Sequence, residues 1–139
     1  MDIKQVTEKI SEFCHRSYPD LKWIFHGFNY DQYHQTIQGV TDLTDSPEME
    51  ILLFIGDSGS VDEYSEGWEG VQGWCTLNLK NELDWRGAFK VLLDSNKTNE
   101  FGFYSENFDK WNERDWILCK QIRKIMLGIF TFILDEIQE

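Results

Sequence analysis

Between Thr41 and Gly70 the chain has no lysine, arginine or histidine. Over all 139 residues it has only three histidines, three cysteines and two prolines. Each shortage excludes something. The last histidine is His34, so no histidine base can come from the C-terminal three quarters of the chain. Cys14, Cys75 and Cys119 lie far apart, each in an apolar run, without the paired spacing of a zinc or redox site. Thirteen basic residues against 25 acidic ones argue against direct nucleic-acid binding, which draws its affinity from lysine and arginine on phosphates. The same balance argues against an anionic membrane surface. No apolar run is long enough to cross a bilayer. The longest, Ile125–Leu134, is bracketed by Arg123, Lys124, Asp135 and Glu136 and reads as a core helix.

What is present is apolar and aromatic residues in plenty, 41% and 15% of the chain, enough for one packed domain over 1–139. Free cysteines in odd number and a charged amphipathic start at Met1 fit a reducing cytoplasm. Asp2–Arg16 has the stripe Ile3, Val6, Ile10, Phe13, Cys14 of an amphipathic helix, with Asp2 as N-cap and Pro19 as terminator. Strands are expected at Leu21–Phe28, Tyr33–Val40, Met49–Ile55, Val71–Leu79, Trp85–Leu93 and Phe101–Tyr104. In Val71–Leu79 the alternation is cleanest, with Val71, Gly73, Cys75 and Leu77 on one face and Gln72, Trp74 and Thr76 on the other. Asp57–Gly70, rich in glycine and serine, reads as a surface loop. Lys110–Gln138 reads as a long helix whose buried side is Trp111, Leu118, Ile122, Ile125, Ile129, Phe132 and Leu134. The expected architecture is α+β: an antiparallel sheet of five or six strands with both terminal helices packed on it.

Several motifs invite a chemical reading. Ile51–Gly59 ends in Gly56-Asp57-Ser58-Gly59 and resembles the nucleophile block of GDS-type lipases, or that of chymotrypsin-like proteases. Both chemistries need a histidine beside the serine, the lipases from a C-terminal Asp-x-x-His that is missing here. A strand-to-loop turn explains the same residues. An EF-hand begun at Asp57 fails where Val61, Asp62 and Trp68 stand. No phosphate-cradling glycine loop occurs. Neither a catalytic centre, a metal site nor a cofactor is therefore expected.

The charge distribution carries the functional reading. Residues 41–70 hold nine carboxylates (Asp42, Asp45, Glu48, Glu50, Asp57, Asp62, Glu63, Glu66, Glu69), so a net −9 of the chain's −12 sits in thirty residues. Such repulsion opposes compaction; what it offers is steering of a cationic partner. Tyr64 and Trp68 lie among these acids and Trp74 on the polar face of the strand that follows, and aromatic anchors ringed by one sign of charge are the usual components of an interface. Trp68 and Trp74 could alternatively fold back as lids over the sheet. The basic stripe Lys120, Arg123, Lys124 reads as a solvated helix face, or as the mate of a second copy's acidic loop in a homodimer.

In size, acidity and acidic-aromatic loop the chain resembles the bacterial immunity proteins, antitoxins of contact-dependent growth inhibition and related polymorphic toxin systems. That resemblance implies a non-enzymatic inhibitor that occupies the basic substrate groove of a toxin nuclease. Asp57, Asp62, Glu63, Glu66 and Glu69 would stand where phosphates sit, with Tyr64 and Trp68 as anchors; Trp74 completes the expected partner-binding set. Two alternatives remain at this point: a phage-type nucleic-acid mimic that blocks a host enzyme, and a small-ligand protein or enzyme with a pocket between sheet and C-terminal helix.

Overall fold

A computed structural model describes residues 3–29, 34–40, 49–57, 69–78, 84–92, 99–105 and 111–138. Helix α1 (Ile3–Ser17) is followed by strands β1 (Lys22–Asn29), β2 (His34–Val40), β3 (Met49–Asp57), β4 (Glu69–Asn78), β5 (Asp84–Leu92) and β6 (Glu100–Ser105), and then by helix α2 (Glu113–Glu136). The strands form one antiparallel meander in chain order. The α+β architecture expected from the sequence is the one found.

Both helices lie on one face of this sheet. Their stripes Val6, Ile10, Cys14 and Ile122, Met126, Ile129, Ile133 are closed to solvent together with Ile37, Ile51, Leu53, Ile55, Val71, Phe89 and Val91. Each such aliphatic side chain taken from water contributes roughly 1.5–3 kcal/mol, which makes this layer the source of the fold's stability. Phe13 stacks on Phe132 at 4.2 Å to join the helices, and Phe130 fills the angle between Phe89 and Phe101.

The covered face is smoothed by glycines set opposite large rings. Gly39 pairs with Trp23, Gly73 with Phe89 and Gly87 with Phe103, and each ring lies over its partner's bare backbone. A methyl at Gly39 would fall 2.6 Å from the Trp23 ring, too close for any real contact. These three positions therefore need glycine for space, so that rings can lie flat and the helices can approach.

Helix α2 starts at Glu113 rather than at Lys110 because a capping box sets its first turn. The Asn112 side chain accepts from the Asp115 N–H at 2.9 Å, and the Asp115 carboxylate accepts from the Asn112 N–H at 3.2 Å. Its buried side is also rotated from expectation. Asp115, Cys119, Met126 and Ile133 are buried beside Ile122 and Ile129, whereas Leu118, Ile125, Phe132 and Leu134 are only half-buried. The stretch around Ile125–Leu134 is apolar almost all round, so periodicity alone left the phase undetermined. At the far end Gln138 and Asn99 exchange amide hydrogen bonds of 2.9 and 3.3 Å, pinning the exit of α2 to the start of β6.

Asp57 and Glu69 belong to the sheet, not to a loop as their glycine-rich surroundings suggest. They are direct register partners at the end of the β3–β4 ladder, next to the pair Gly56–Gly70. Gly56 has φ of 150°, a backbone that side-chain-bearing residues avoid. Two acids opposite one another weaken a ladder. Asp2, the proposed N-cap, lies outside the described residues.

Candidate partner-binding surface

Neither described helix lies on the other face of the sheet. Strand alternation sends Ile24, Gln38, Leu52, Trp74, Ala88 and Gly102 across it in one cross-strand row, and Glu50 and Phe54 flank that row on β3. Ile24, Val40, Leu52 and Phe54 are half-buried and Trp74 is 46% exposed. Trp74 is therefore not a lid folded into the core; it stands in the middle of an uncovered apolar band. Beside it the surface falls away, because Ala88 is small and nothing lies within 4 Å of where a Gly102 Cβ would be.

A polar chain crosses the same face. His26 Nε2 meets Gln38 Oε1 at 2.6 Å, and Gln38 Nε2 donates to Glu50 Oε2 at 2.7 Å. The three residues are spaced twelve apart in sequence; His26 sits at the register shift of β1 between Phe25 and Gly27, and the β2–β3 register sets Glu50 opposite Val40, two residues along from Gln38. Glu50 is half-buried, and its carboxylate is oriented by the Gln38 amide. The carboxylate of an acid held in this way is better placed to meet a cation than one on a free side chain.

Of the expected partner-binding residues, Asp62, Glu63, Tyr64, Glu66 and Trp68 lie outside the described residues. Asp57 and Glu69 are brought together at the hairpin mouth. Trp74 is five residues farther along β4, a rise of roughly 17 Å. The acids of the hairpin and the tryptophan thus share one hairpin but not one spot. Glu50, Gln38, His26, Leu52 and Phe54 were not among the expected site residues. The signal for them lay in Met49–Ile55, where apolar residues occupy both parities of the strand, as they do when both faces have something to cover them.

Features of other chemistries are weak. Among the described residues no three of His, Cys, Asp and Glu come together as metal ligands. His15 is exposed and bonds back to the Ser11 carbonyl at 2.7 Å, as a surface histidine on a helix does. The thiols are buried, and burial pushes Cys14 and Cys75 up to about 12 and Cys119 upward as well. A protonated, enclosed thiol is no nucleophile. Between the sheet and α2, where a ligand pocket was an alternative, Ile122, Met126 and Ile129 pack against Phe89 and Val71 in the core. A groove of about 410 Å³ opens instead between the two helices, lined by Phe13, Leu127, Phe132 and Asp135. Arg123, on the basic stripe of α2, lies over the Phe103 ring at 5.5 Å, and Lys120 and Lys124 are exposed. No described helix is long and apolar enough to cross a membrane.

No family model, curated protein or solved structure matches this chain.

Proposed function

We propose that this protein is a non-enzymatic inhibitor that docks a cationic protein partner on the open face of its sheet. The acidic β3–β4 hairpin steers the approach and Trp74 anchors the complex. The observation that carries the proposal is Trp74, 46% exposed at the centre of an apolar band that neither described helix covers. Tryptophan is the residue type whose loss most often costs a complex 2 kcal/mol or more. The ordered carboxylate of Glu50 supplies the matching sign on the same face. A net charge of −12 supports a partner of opposite charge and disfavours a homodimer through the hairpins.

The immunity type of inhibitor suits these features, with the nuclease domain of a toxin as partner and the cytoplasm as the place of action. The gene of such an antidote lies beside the gene of its toxin. Co-expression with the protein encoded by the adjoining gene tests this directly: rescue of growth and a stable complex are expected. Association should be fast and lose on-rate as salt rises. Changing Asp62→Lys together with Glu66→Lys should slow association strongly and leave the fold intact. No rescue and no complex would remove the antidote reading, and a double variant that unfolds would make those acids structural.

A further inference from the structure

We propose that Trp74 and Glu50 together form a receptor for an arginine side chain of the partner. This rests on the docking reading above and specifies the group that the open face receives. Glu50 pairs with Thr76 across the β3–β4 ladder, and Trp74 lies two residues along β4 from Thr76. On an antiparallel pair such diagonal neighbours are roughly 7–8 Å apart and point to the same side. A planar cation fits that interval: its face covers the exposed indole while its edge reaches the carboxylate.

The carboxylate is prepared for that edge. Gln38 occupies Glu50 Oε2 at 2.7 Å, and among the described residues Oε1 has no donor. Gln38 is itself held by His26 at 2.6 Å, so the amide presents its N–H groups, not its oxygen, to Glu50. Gln38 is thus a positioning residue that fixes the rotamer of Glu50 before a ligand arrives, which lowers the entropy lost on binding. Leu52 and Ile24 continue the apolar row along which the methylene stem of an arginine can lie.

Arginine rather than lysine follows from shape. The guanidinium is flat, stacks on tryptophan, and offers two parallel N–H groups to a carboxylate. An ammonium is a strongly hydrated point charge that gains less from an indole face at a half-open site. A neutral apolar side chain would leave Glu50 without the charge it is oriented to meet.

The test uses the intact chain and the short peptide acetyl-Gly-Arg-Gly-Arg-Gly-amide, with lysine and citrulline counterparts. The Trp74 indole N–H signal, assigned by its loss in Trp74→Phe, is followed by NMR. The arginine peptide should shift it with at least fivefold higher affinity than the lysine peptide, and the citrulline peptide should leave it in place. Glu50→Gln keeps an acceptor for Gln38 and removes the charge. It should weaken the arginine peptide about tenfold and erase the preference over lysine. Trp74→Leu, read at the backbone signals of β3, should do the same should Glu50→Gln fail to fold. Equal affinity for the two cationic peptides, or binding unchanged by Glu50→Gln, overturns the receptor. Failure here with Trp74-dependent binding of the adjoining gene's product leaves docking standing without an arginine. Binding of that product that ignores Trp74 removes the docking site as well.

Discussion

The two faces of the sheet are built from the same strands and differ in what they ask of a side chain. On the covered face three rings lie over register-partner glycines and the aliphatic residues share one core with the helices, as with Phe89 between Gly73 and Phe130. On the open face Trp74 has Leu52 and Ala88 as register partners and solvent above. The first arrangement spends apolar surface on stability. The second keeps it in water, where it lowers solubility unless something comes to cover it. The lesson is that burial pattern separates the residues that make the fold from those available for another molecule, and substitutions on the two faces should behave as opposites.

The largest contrast lies in the core. Ile129→Ala removes a fully buried side chain facing the sheet and should cost about 2–5 kcal/mol, read by urea denaturation. Removing the same volume from Leu52, half-buried on the open face, should cost markedly less. Equal costs would show that the open face is also packed. Alkaline pH probes the covered layer in another way. Burial raises Cys14 and Cys75 from the ordinary 9.0 to about 12, so the folded state keeps protons that the unfolded chain releases. The stability these thiols protect is complete below pH 9 and is lost as pH climbs towards 12. The unfolding midpoint should therefore fall steeply across that window, and should fall less in a Cys14→Ala, Cys75→Ala variant. A thiol reagent at neutral pH should meanwhile react only as fast as the protein unfolds.

Glycine substitutions sharpen the comparison further. Gly73→Ala drives a methyl into the Phe89 ring and should cost about 1–3 kcal/mol by overpacking. Gly102→Val on the open face meets empty space and gains a strand-forming side chain, so stability should hold within about 0.5 kcal/mol. Binding of a partner that covers the Trp74–Ala88–Gly102 row should weaken nonetheless. A Gly102→Val protein that unfolds early would mean the hollow beside Trp74 is filled by the chain's own residues.

Much of this was legible in the residues. The alternation in Val71–Leu79 placed Val71, Gly73 and Cys75 inward and Trp74 outward, and all four are found so. The apolar run Met49–Ile55 is a central strand, extended by Gly56 and Asp57. Asp57 and Glu69 were read as loop because acids and glycines have low strand propensity; the ladder pairs them all the same. The phase of α2 was obscured by residues apolar on every side, and its start, read at Lys110, lies at Glu113 behind the Asn112 cap. The chain His26–Gln38–Glu50 was invisible for a different reason. It exists only in the cross-strand register, and nothing in three polar residues spaced twelve apart reveals register until the hairpins are aligned. The same holds for the glycine–ring pairs.

The most direct test is the affinity of the adjoining gene's product for wild type and for Trp74→Ala, measured beside the unfolding free energy of both. At least a tenfold weaker complex is expected, with a stability change of no more than about 1 kcal/mol. An unchanged affinity in a folded variant would contradict docking at Trp74, because the open face would then be bare for some reason other than binding.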